Sequence, residues 1–123
     1  MKFMTMVRSA ENNRLGPPPQ ALIDGIMQLG ADAAKAGVFV EMGGLMPSAT
    51  GATLRLSGGK IALKDGPFAE AREVIGGYAV YNTASKDEAV AWATRFLDLH
   101  KQHWPAWEGE VEVRQIMEGP PPG

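Results

Sequence analysis

The residues with the clearest chemical potential cluster around Asp65. It follows an alternating run, Lys60-Ile61-Ala62-Leu63-Lys64, and precedes Gly66-Pro67, so backbone at the end of a strand carries its short side chain. A carboxylate held in a pocket can have its pKa raised toward neutrality, which suits proton transfer. An aspartate before Gly-Pro serves equally well as an acceptor for turn amides, and one residue can fill both roles. Arg55, between Leu54 and Leu56, has the planar fork that clamps a carboxylate or phosphate. It could instead pair with Glu70 or remain solvated. Arg72 and Arg114 carry the same ambiguity. Glu70 and Glu73 are three residues apart and share a face if they lie on a helical turn. Paired carboxylates can exchange protons or hold a hard cation, and acidic groups also favour the first turn of a helix. Tyr78 suits a sheet by its ring and a cleft by its hydroxyl.

The remaining candidates are weaker. His100 and His103 are the chain's two histidines, and a pair three apart supplies two zinc ligands, which is not a site. His100 also suits the negative end of a helix. With no cysteine, disulfides, thiol catalysis and cysteine-ligated zinc are excluded. Gly43-Gly44 and Gly58-Gly59 lack phosphate-loop spacing and read as turns. Neither a metal nor a cofactor is expected.

The elements that position these residues follow from side-chain periodicity. Lys2 to Arg8 alternates Phe3/Thr5/Val7 against Met4/Met6/Arg8 and predicts a strand. A polar, proline-rich loop follows, from Ser9 to Pro19. Leu22, Ile23, Ile26, Met27, Leu29, Ala33 and Ala34 fall on one face of a helix running from Gln20 to Ala36, stopped at Gly37. Val38 to Met42 predicts a short strand. Ala52–Leu56 and Lys60–Lys64 alternate about Ser57-Gly58-Gly59, the pattern of a hairpin. Ala69 to Val74 predicts a short helical turn, and Tyr78 to Asn82 a strand. Ser85 and Glu88 form a capping box ahead of a helix that buries Ala89, Val90, Trp92, Ala93, Phe96 and Leu97. His100 to Gly109 predicts an aromatic loop, and Glu110 to Met117 the last strand. The order is two βαβ units with an inserted hairpin: an α+β, ferredoxin-like split βαβ fold with two helices on one face of a mainly antiparallel sheet.

Composition sets the outer limits. The 123 residues suffice for one domain, and 45% hydrophobic content supplies a core. A net charge of -2 with no Lys/Arg run gives no broad attraction to nucleic acid or to anionic membrane. Apolar stretches fall well short of the ~18 residues of a membrane span, and no signal-peptide pattern precedes the first strand, so the expected location is cytoplasmic. The second side-chain set on several strands, such as Met4/Met6 or Val111/Val113, is apolar enough to require burial, and a homodimer that covers this face is expected.

Two stretches resemble a known family. Gly44-Leu45, Pro47-Ser48-Ala49 and Ala52-Thr53-Leu54-Arg55 resemble one conserved segment of YCII-related proteins, and Asp65-Gly66-Pro67-Phe68 through Gly76-Gly77-Tyr78 resembles the signature of their DGPF subgroup. Glu110-Val111-Glu112-Val113-Arg114 is similar to the family's terminal strand, with Gln115 in place of proline. The resemblance implies a dimeric ferredoxin-like domain over residues 1–118 with a flexible tail at 119–123. Relatives with a proposed active site pair a histidine on the first helix with an aspartate at the position of Asp65, and here the first helix holds no histidine. The expected activity is binding of a small polar or anionic organic ligand in a cleft formed by Arg55, Asp65, Glu70 and Tyr78. The alternative is a small metal-independent enzyme, lyase-like or isomerase-like, with Asp65 as its acid/base.

Overall fold

The computed structural model describes residues 1–11, 15–68 and 73–119. Glu70, Arg72, most of the expected 69–74 turn, the middle of the 9–19 loop and the tail beyond Gly119 lie outside the described residues. The elements are β1 (Lys2–Ser9), α1 (Gln20–Lys35), β2 (Phe39–Gly44), β3 (Ala52–Ser57), β4 (Lys60–Asp65), β5 (Val74–Asn82), α2 (Lys86–His103) and β6 (Glu110–Gln115). A 3-10 turn at Ser48–Thr50 lies between β2 and β3.

Four strands form one sheet in the order β2-β5-β1-β6, with every neighbouring pair antiparallel. This is the split βαβ arrangement, in which the central strands are the first of each unit's partners and not sequence neighbours. The hairpin β3–β4 stands as a separate two-stranded sheet. Its reversal uses Gly58 at φ 57° and Gly59 at φ 76°, the double left-handed geometry of a type I′ turn.

Register assigns the faces. Phe3 pairs with Tyr81, Thr5 with Ala79, and Thr5 and Val7 with Val113 and Val111. This set faces the helices: Ala79 and Tyr81 pack with Ala33 of α1, and Tyr81 stacks on Trp92 of α2 at 5.9 Å between ring centroids. Thr5 is buried there because its hydroxyl donates to the Ala79 carbonyl at 3.2 Å. The opposite set is Met4, Met6, Arg8, Tyr78, Val80, Glu112 and Arg114. Val111 and Val113 therefore belong to the helix side, contrary to expectation, while Met4 and Met6 lie on the helix-free face. A period of two identifies which side chains share a face but not which face meets the helices.

Three boundaries also differ from expectation. Strand β5 starts at Val74, so Gly76 and Gly77 lie inside it. A Cβ on Gly77 would come within 3.2 Å of the Gly43 carbonyl, and the bare backbones let β2 and β5 close together. Helix α2 continues through His103, since nothing breaks it before Pro105 and its last turn holds His100, Lys101 and His103. On that helix Val90 is 41% exposed, and His100 takes a buried place instead. The cap matches expectation: the Glu88 amide donates to the Ser85 hydroxyl at 3.2 Å, and the Glu88 carboxylate accepts from the Ala84 amide.

The base of the hairpin is moored to the body. The Gly66 amide donates to the Gly51 carbonyl, and the Phe68 amide donates to the Ser48 hydroxyl at 3.1 Å. Ser48 in turn donates both its amide and its hydroxyl to the Glu11 carboxylate, at 2.7 Å each. A Cβ on Gly66 would collide with the Ser48 carbonyl oxygen, which is rigid backbone, whereas one on Gly76 would meet nothing within 4 Å. Gly66→Ala is expected to lower unfolding free energy by about 1–3 kcal/mol in urea titrations, as overpacking does, while Gly76→Ala stays within about 1 kcal/mol of the parent protein.

Candidate functional site

A cavity of about 520 Å³ opens between the sheet and the helices, large enough for a small organic molecule. Its floor is the helix-facing side of β1 and β5, where Thr5, Gly77 and Ala79 leave the backbone thinly covered. Leu22 and Ile26 of α1 form one wall. The other wall is the end of α2, with Ala93, Phe96 and His100, together with Trp107 from the following loop. Ile23 and Met27, which sequence periodicity assigns to the buried face of α1, are 41% and 67% exposed and stand at the cavity rim. No Asp, Glu, Lys or Arg among the described residues lines the space.

The aromatic end wall is built locally. The Trp104 amide donates to the His100 carbonyl at 2.7 Å, closing the helix, and the Trp107 amide donates back to the Trp104 carbonyl at 2.9 Å. Gly109 lets Trp107 fold inward, because a Cβ there would run into the indole and into the Arg8 carbonyl. His100 is held between Phe96 and Trp107, with ring centroids 4.6 and 4.2 Å away.

His100 is the one imidazole on the cavity wall. It is 7% exposed, and its Nδ1 lies 3.0 Å from the Phe96 carbonyl oxygen. A carbonyl only accepts, so Nδ1 carries the hydrogen and Nε2 of the neutral ring is left as an acceptor. Burial depresses its pKa below 6.5, opposed by the Phe96 carbonyl, so the neutral ring predominates at neutral pH. Tyr81 also borders the space, and burial raises its pKa, which keeps the hydroxyl protonated. Among the described residues, the cavity thus offers apolar walls, aromatic faces, a few hydroxyls and one imidazole.

The residues singled out from sequence do not converge on this space. Arg55 pairs with Ala62 and Asp65 with Ala52, two positions of opposite parity, so their side chains project from opposite faces of the hairpin. Both are exposed and neither lines the cavity. Tyr78 borders it along β5, yet strand alternation turns its ring to the helix-free face, where it packs over Gly43. Glu70 lies outside the described residues. His103 lies on α2 three residues beyond His100 and is half-buried. Sequence reasoning missed the role of His100, whose signal was its spacing of four from Phe96 and seven from Ala93, the period of a buried helical face. It also missed Glu11, whose carboxylate is held below 4.5 by the hydrogen bonds from the Ser48 hydroxyl and amide.

A small antiparallel sheet with two helices on one face defines a class of α+β domain that many functions share. The family comparison is specific: residues 1–119 match the YCII-related domain, and the chain belongs to that family. It is also 41% identical over 82 residues to an uncharacterized protein of Rhizobium meliloti (strain 1021), a match that covers 67% of this chain and 62% of that protein.

The buried imidazole makes stability depend on pH. The unfolded chain binds a proton at His100 near 6.5, and the folded chain binds it only at lower pH. Its contribution is therefore complete above 6.5 and is lost as pH falls through the folded-state value. Urea midpoints are expected to drop between pH 7.5 and 5. The drop should be smaller in His100→Gln, with His103→Gln retaining the parent's slope.

Proposed function

We propose that this YCII-related protein binds a small, largely apolar organic molecule bearing one hydrogen-bond donor, such as a phenol or an indole. The observation that carries this reading is a cavity whose described lining holds no charged side chain and includes the neutral His100 imidazole. A cavity with no charged side chain among its described lining favours uncharged ligands, because desolvating an anion there has no compensating partner among them. A neutral imidazole in a largely apolar space favours a ligand that carries a donor, and the aromatic end wall supplies stacking surface. The polar or anionic ligand expected from sequence would need a different place on the protein, beside the hairpin base.

A catalytic reading has its own support. The turn after Asp65 is tied by the Gly66 and Phe68 amides, so the carboxylate sits on a fixed stem. Asp65 would then act as a metal-independent acid/base on a substrate held near the hairpin. A positioned base contributes about 10²–10⁴-fold to rate, so Asp65→Asn would cost that factor for any activity of this kind.

Tryptophan fluorescence titrations separate the two sites. 1-Naphthol is expected to bind roughly 2- to 10-fold more tightly than naphthalene, the worth of one net hydrogen bond. His100→Phe should erase that preference while naphthalene still binds, and Ile26→Trp should abolish binding of both. Malonate serves as the small anion. If malonate binds, Asp65→Asn or Arg55→Ala alters that binding, and neither naphthyl compound binds, the cavity reading is wrong.

A further inference from the structure

We propose that the cavity takes an elongated ligand: a phenol or indole whose ring lies at the His100 end and whose alkyl chain runs across the sheet to the side beside Met27 and Met42. This rests on the cavity reading above and gives it a length and a direction. Strand register defines the trough. Gly44 pairs with Gly77, Gly77 with Val7, and Val7 with Val111, one row of helix-facing positions perpendicular to the strands. All four line the cavity, and the row crosses the sheet from edge strand β2 to edge strand β6. Its β2 and β5 positions carry no side chain, and its β1 and β6 positions carry only valine. The space above it is therefore continuous from edge to edge. Three steps between neighbouring strands, at ~4.8 Å each, give it a length of ~14 Å. Spread over that length, a volume of about 520 Å³ averages about 37 Å² in cross-section, a long and narrow shape. A ring takes up roughly 6 Å, and the ~8 Å left hold about six methylenes at carbon–carbon bonds of ~1.5 Å.

The two ends differ, and the difference sets the direction. At β6 the trough is closed by Phe96, His100 and Trp107, with His100 only 7% exposed. At β2 a Cβ on Gly30 of α1 would lie 3.2 Å from the Met42 sulfur, so α1 runs beside this edge. One turn before Gly30, Met27 borders the cavity and is 67% exposed, and a further turn back Ile23 is 41% exposed. Among the described residues this end stands open, rimmed by aliphatic and thioether groups that adapt to a flexible chain. A Cβ on Gly44, at the same edge, would meet nothing within 4 Å. The ring and its donor find aromatic faces and an imidazole at the closed end, and a chain gains by burying methylenes along the rest. A bicyclic ligand alone leaves the glycine end unfilled.

The test is a chain-length series read by tryptophan fluorescence, each compound kept below its own aggregation threshold: phenol, 4-propylphenol, 4-hexylphenol and 4-nonylphenol. In the parent protein, affinity is expected to rise about fourfold per methylene as far as 4-hexylphenol, the worth of burying one CH₂. It should level off at 4-nonylphenol, whose last methylenes emerge past Met27 into water. Gly44→Leu puts a side chain into the outer trough, where there is room for it. This change should weaken 4-hexylphenol binding about 10-fold or more and 1-naphthol binding less than about 2-fold, with an unchanged far-ultraviolet circular dichroism spectrum. If 1-naphthol binds and the chain brings no gain, the elongated ligand is wrong and the cavity reading stands. A rise that continues undiminished through 4-nonylphenol also overturns the proposal, since it is partition onto apolar surface. So does equal loss of 4-hexylphenol and 1-naphthol in folded Gly44→Leu, which would put the ring at the glycine end. If neither 1-naphthol nor any alkylphenol binds, the cavity reading falls and the elongated ligand with it.

Discussion

The structure depends on a mismatch in side-chain size between the sheet and the helices it carries. On the sheet, Thr5, Gly77 and Ala79 present little bulk toward the helices, and Gly43 and Gly44 thin the adjoining edge. On the helices, the end of α2 presents Phe96 and His100 and is followed by Trp107. The large rings pack on one another and cannot fill the ground above the small residues. At the other end the fit is tight: Tyr81 stacks on Trp92, and Ala33 and Ala79 complete a dense core. Helices α1 and α2 also meet closely away from the sheet, where a Cβ on Gly25 would press on Leu99. Arg95 locks that contact by pairing with Asp32 at 2.8 Å while lying 4.7 Å above the Trp92 ring. With the helices fixed to each other and to one end of the sheet, the gap at the other end cannot close by collapse.

That gap and the Asp65–Phe68 turn occupy different parts of the protein and answer to different physics. The turn is a joint. Glu11, Ser48, Gly51, Gly66 and Phe68 exchange backbone and side-chain hydrogen bonds that hold the root of the hairpin. Gly66 is required there by steric closeness to Ser48, which gives the turn after Asp65 a structural purpose independent of any chemistry at Asp65. The gap is a recess whose wall carries the neutral imidazole of His100. A site of the second kind discriminates by shape and by the few hydrogen bonds its wall can make, since a polar group in apolar surroundings rewards the ligand that satisfies it.

Local signals in the sequence were faithful and non-local ones were not. The Ser85–Glu88 cap, the Gly58-Gly59 reversal and the start of α1 at Gln20 each depend on residues within a few positions, and each appears as read, whereas Ile23 and Met27 of the α1 stripe are exposed. The element order sufficed for the fold, because two βαβ units leave few ways to arrange four strands. Which face of β6 meets the helices depends on pairing Val113 with Thr5 across the molecule, and alternation alone is silent on it. The inward turn of His100 required α2 to run one turn further than its aliphatic stripe suggests. The separation of Arg55 from Asp65 is a matter of parity across a hairpin, legible only once the register Arg55–Ala62 is known. The apolar face of β3–β4 looks in sequence like that of any half-buried hairpin, yet Leu54, Leu56, Ile61 and Leu63 are all exposed, since a strand's pattern does not name its burial partner.

Ligand binding in the cavity requires a neutral His100 whose Nε2 is open to the ligand. Nitrogen-15 correlation spectra of the two imidazoles at neutral pH test this directly, because the tautomer and the contact are read from the same signals. The predicted result is a hydrogen on Nδ1 of His100, an unprotonated Nε2, and a shift of that Nε2 signal when 1-naphthol is added, with the His103 signals unmoved. A His100 ring with its hydrogen on Nε2, or an Nε2 signal indifferent to saturating 1-naphthol, contradicts it.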